Sequence, residues 1–150
     1  MAGTWAVARA AFAAKLNSQS ATPTGHAAQT LRCTEWPPNS RQTSFPHGYV
    51  IPPELEVTRF PGGWRAFGGE IRVRIVLGQS TQMADITQMY DAWTLAVTDA
   101  LDENITLDGA CDYIGAQSNG PLTHFDEDDA WGFETKFENF RCSAAETFAG

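Results

Sequence analysis

Gly69-Glu70-Ile71-Arg72-Val73-Arg74-Ile75-Val76-Leu77 places Ile71, Val73, Ile75 and Leu77 on one side of an extended chain and Arg72 and Arg74 on the other. A strand repeats every two residues, so this pattern describes a sheet with one buried face. Directly after it, Ser80 or Thr81 can cap a helix reaching about Leu101, in which Ile86, Tyr90, Trp93, Val97 and Leu101 form one apolar stripe. A one-faced strand followed by a one-striped helix predicts an α+β fold. We expect a mixed or antiparallel sheet of about four to five strands, packed against an N-terminal helix and this one long amphipathic helix.

Upstream, Glu54–Phe60 reads as the hairpin partner of Gly69–Leu77. The glycine-flanked loop between them, residues 60–69, is expected to carry Trp64, Arg65 and Phe67 at its tip, and aromatics so placed are frequent interface anchors. The stretch from Pro37 to Pro53 holds Pro37, Pro38, Pro46, Pro52 and Pro53. Each removes a backbone donor and fixes φ, so the stretch predicts a long surface connection, either idle or partner-binding. Alanine-rich Ala2–Leu16, with Trp5, Ala8, Phe12 and Leu16 on one stripe, predicts the first helix. A turn-rich stretch to His26 and a short strand within Gln29–Trp36 should follow.

Downstream, a turn at Asn104–Gly109 leads into expected strands at Ala110–Gln117 and Ala130–Cys142. The segment between them, Ser118–Asp129, is expected to be a long acidic hairpin tip ending in Asp126-Glu127-Asp128-Asp129, dispensable for folding, and Ala144–Gly150 a frayed tail. Residues 1–150 fit one domain: at this length and 43% hydrophobic content a single core suffices.

A formal charge of −8 opposes tracking of phosphates, which needs clustered cations, but is compatible with a wall past which nucleic acid slides. Arg59, Arg65, Arg72 and Arg74 crowd the hairpin, a small basic patch that a neighbour's acids can pair. Three cysteines, Cys33, Cys111 and Cys142, without a C-x-x-C pair give no zinc or redox motif, and a reduced cytoplasm is the simpler compartment of synthesis. No stretch approaches the roughly 18 apolar residues of a membrane span, and Arg9 and Lys15 interrupt the N-terminus where a secretion signal would be apolar.

His124 beside the four acids at 126–129 is the most metal-like cluster, yet contiguous acids point in different directions and lack the calcium-loop spacing. Gly62-Gly63 and Gly68-Gly69 lack the Lys and helix of a phosphate loop, and no Ser or Cys stands in a nucleophile signature. We therefore expect no catalytic residues, metal or cofactor. Trp93 and Trp131 should be core. Trp36, Trp64, Arg65, Phe67, His124, Asp126, Glu127, Asp128 and Asp129 are the candidate interface residues, and His26 and His47 are expected in surface loops.

The second half carries a family likeness. Ala92-Trp93-Thr94-Leu95-Ala96-Val97-Thr98-Asp99-Ala100-Leu101, then Asn104-Ile105-Thr106-Leu107-Asp108-Gly109, then Cys111–Gln117 resembles the helix, turn and strand of tail terminator (tail completion) proteins of long-tailed bacteriophages. Asp108 stands where that turn has its first glycine, and the likeness covers about Glu54–Cys142. It implies a virion protein, made in the host cytoplasm, forming a ring of six copies of itself at the head-proximal end of the tail tube. Its partners would be the tail tube protein and a neck or head-completion protein, with DNA passing the channel unbound. Another neck or head-completion connector is an alternative, as is a small α+β enzyme or ligand-binding domain with a pocket between sheet and helix.

Overall fold

The computed structural model describes residues 5–40, 42, 44–61, 64–79, 81–102 and 117–145, without the side chains of Phe60, Trp64, Arg65, Asp102 and residues 138–145. Among the described residues two helices, α1 (Trp5–Leu16) and α2 (Met83–Asp102), accompany nine strands: β1 (Ser20–Ala21), β2 (Gln29–Thr30), β3 (Arg32–Thr34), β4 (His47–Ile51), β5 (Leu55–Phe60), β6 (Trp64–Gly78), β7 (Gln117–Asn119), β8 (Thr123–Phe125) and β9 (Ala130–Ala145). The α+β expectation is met, with a larger sheet than expected. Seven strands, not four to five, form the main sheet, all antiparallel except the β3–β4 pair, and β1–β2 is a separate small ribbon.

The axis of the sheet is the antiparallel pair β6 and β9, of 15 and 16 residues. Strands this long have room for two partners in tandem along each outer edge. On β6, β5 lies along Trp64–Gly69 and β4 along Arg72–Val76. On β9, β8 lies along Ala130–Gly132 and β7 along Thr135–Phe137. The ladder shifts register between Gly69 and Ile71 and again between Val76 and Gly78. Gly132 lies beside the second shift, and a Cβ there would land on the Ile75 carbonyl oxygen, so the close approach of the two backbones requires glycine.

Ile71, Val73, Ile75 and Leu77 are all buried, as their alternation requires, and meet Phe133 and Phe137 of β9. Both helices cover this face: Ala8, Phe12 and Leu16 from α1, and Trp93, Val97 and Leu101 from α2. Trp93 is fully buried and its indole N–H donates to Gln29 Oε1 at 2.8 Å, so the largest core side chain keeps its one polar atom satisfied. Helix α2 begins at Met83, later than a Ser80 or Thr81 cap would place it, with the Asp85 and Ile86 amides donating to the Gln82 carbonyl.

Several expectations are corrected. The proline-rich stretch contains β4, an inner strand between β3 and β6. Pro46 precedes it and Pro52 and Pro53 follow it, so its five residues keep every donor the ladder needs. His47 accordingly sits buried in β4, its Nδ1–H donating to the Ser44 carbonyl at 2.9 Å, and is not a surface-loop histidine. Strand β6 begins at Trp64, and Phe60 pairs with Trp64, so Trp64, Arg65 and Phe67 belong to a strand and not to the tip of a loop over 60–69. Trp131 is only half-buried, because it stands where the ladder slips. The expected turn at 104–109 and strand residues 110–116 lie outside the described residues.

Candidate functional site

The sheet face turned away from the helices is charged, because alternation sends Arg72 and Arg74 of β6 and Glu134 and Lys136 of β9 to the same side. Register sets Arg74 opposite Glu134 and Arg72 opposite Lys136. Glu70 bridges the second pair, 2.7 Å from Arg72 Nε and 3.7 Å from Lys136 Nζ, and the Arg72 hydrogen bond holds its carboxyl below the ordinary range. These groups are open to water, so each pair contributes little stability.

Arg74 is different. Its side chain is 15% exposed and its guanidinium lies 4.0 Å over the Phe125 ring. Nε and Nη2 donate to Glu134 Oε2 at 3.0 and 2.8 Å, while Nη1 donates to the Tyr49 hydroxyl and to Asp128 Oδ2, each at 3.2 Å. The Tyr49 hydroxyl in turn donates to Asp128 at 3.0 Å. Burial, opposed by the charge of Arg74 and reinforced by Asp128, pushes the Tyr49 phenol up to about 12. Charge, hydrogen bonds and an aromatic face converge on one guanidinium, which ties β4, β6, β8 and β9 together.

This cluster corrects the reading of the acidic run. Asp128 is buried against Tyr49 and Arg74, and Phe125 just before it is packed, so Ser118–Asp129 is not a dispensable tip. It holds β7 and β8, both paired to β9, and only the tight turn from Asp126 to Asp129 stands out. Asp129 takes a left-handed φ of 48°, a conformation aspartate tolerates better than most residues, and this turns Asp128 inward. Glu127 is 3.3 Å from Arg74 yet largely exposed, and Asp126 is fully exposed, 3.4 Å from His124 Nδ1. His124 packs edge-on against Trp131 with centroids 5.2 Å apart.

Trp36 lies beyond β3 at the far edge of the sheet, 59% exposed, with Arg9 5.6 Å from its ring centroid. Phe67 is half-buried on β6, and the side chains of Trp64 and Arg65 lie outside the described residues. The candidate interface residues therefore do not form one patch: His124 and Asp126–Asp129 come together, while Trp36 belongs to another edge. Arg74 and Tyr49 were missed as members of the acidic cluster. Arg74 lies 54 positions from Asp128 in the sequence, so no local pattern signalled their pairing.

Among the described residues, no three His, Cys, Asp or Glu side chains are grouped so as to hold a metal ion, and no helix is long and apolar enough to cross a membrane. No protein-family model matches the chain, and no curated protein does.

Proposed function

We propose that this chain is a structural virion protein that caps the head-proximal end of a bacteriophage tail tube, stops tube growth and joins tail to neck. The observation that carries the reading furthest is the sheet's pair of unlike edges. On the β6 side, β5 pairs only with β6 among the described residues, and on the β9 side β7 pairs only with β9. A ring needs heterologous contacts, one surface of a subunit against a different surface of the next, and two distinct strand edges supply such a pair. The likeness of the α2 helix and the segment after it to tail terminators supports the same reading. So does the acidic balance, which favours passage of DNA over its retention.

Termination then follows from geometry. A ring that copies the tube subunit's contacts on one face and omits them on the other accepts one layer and blocks the next. The direct test is tube growth from purified tail tube protein with and without this chain, with lengths measured by electron microscopy. A terminator gives short tubes with density at one end. Unchanged lengths with no bound chain would refute the reading.

A further inference from the structure

The outer side of α2 carries Asp91, Leu95 and Asp99 in one row, each a helical turn from the next. Leu95 is 63% exposed, the most open large aliphatic side chain among the described residues. Neither aspartate has an ion-pair partner among them. The row forms part of the wall of a concavity of about 640 Å³ between α2 and the β1 segment, where Ala92, Ala96 and Ala21 supply small apolar surface. Water is a poor solvent for the leucine, and among the described residues Lys15 is the one cation that shares the concavity with the two carboxylates flanking it.

We propose that this groove docks an extended segment of a partner protein with the pattern cation, any residue, aliphatic, any residue, cation. At 1.5 Å rise per residue, Asp91 and Asp99 are about 12 Å apart along the helix. In an extended chain rising about 3.3 Å per residue, positions four apart span about 13 Å, and the first, third and fifth side chains face one way. The two cations thus reach the two carboxylates while the aliphatic residue between them covers Leu95 and the alanines. The overall charge of −8 draws a basic segment toward the groove. The occupant is a different protein: of this chain's ten lysines and arginines, no two stand four positions apart. This inference does not depend on ring formation or tube capping, since docking is read as peptide affinity on the intact chain.

The test is fluorescence anisotropy of a labelled peptide, Gly-Thr-Lys-Thr-Val-Thr-Lys-Thr-Gly, titrated with the full-length protein. The expected result is binding that weakens with salt. It should fall at least about tenfold for the Asp91→Asn/Asp99→Asn variant, for Leu95→Glu, and for a peptide of the same composition with its lysines adjacent. Circular dichroism checks that the variants keep their fold, and the rearranged peptide makes the same comparison on the natural chain. Equal affinity for both peptides, or no binding of either, would overturn the proposal.

Discussion

Replacing Arg74 by methionine keeps an aliphatic stem over Phe125 but removes the guanidinium that pairs with Glu134, Asp128 and Tyr49. Asp128, at 7% exposure, would keep only the Tyr49 hydroxyl. Stripping one partner from a buried ion pair costs about 3–5 kcal/mol. The 15% and 23% exposure of the Arg74 and Glu134 side chains lets water relieve part of that, which places the cost near the lower end, about 3 kcal/mol. For a chain of this size that lowers the melting midpoint by about 6–12 °C. Asp128→Asn alone retains shape and the tyrosine bond and should cost about 1–1.5 kcal/mol. In the Arg74→Met background the same asparagine removes a stranded buried charge, so it should stabilise. Urea unfolding of the four proteins, with the slope of free energy against denaturant held in common, measures this sign change. Two substitutions that add within about 0.5 kcal/mol would refute the assignment of Arg74 and Asp128 as a coupled pair.

Gly132→Ala should disrupt the β6–β9 ladder, since the new methyl meets the Ile75 backbone; we expect a loss of about 3 kcal/mol or more, or no soluble protein, and a variant of unchanged midpoint would contradict the register described. Burial pushes the Cys33 thiol from 9.0 up to about 12. Its folded value is raised, so the stability it contributes is complete below pH 9 and falls as pH rises toward 12, because only the unfolded chain releases the proton in that window. Thermal midpoints at pH 8 to 10.5 should fall less for Cys33→Ala than for the natural chain, and an equal fall would argue against that burial. Trp93→Phe leaves the Gln29 amide oxygen without the indole donor and trims the core, for an expected cost of about 1–3 kcal/mol by urea unfolding.

What was legible in the sequence was whatever obeyed a local period. Ile71 to Leu77 could only be a one-faced strand, and Ile86 to Leu101 only a helix with one apolar stripe. What was missed depended on pairing over distance. His47–Ile51 looked like loop because prolines surround it, yet their placement just outside the strand costs the ladder nothing. Trp64 to Gly68 looked like a hairpin tip because of its glycines, although β9 and β5 on either side hold it extended. In the acidic run, like charges predict repulsion and exposure; an arginine 54 positions upstream turns one of them into a buried partner, which no local pattern carries.

The most direct test of the ring proposal is the mass of the purified chain in solution, measured by light scattering across concentration, alone and with tail tubes, with negative-stain imaging of any oligomer. A terminator gives closed rings with a mass near six times the 16.4 kDa of one chain, either free or formed on tube ends. A chain that stays monomeric at every concentration and leaves tubes bare contradicts it.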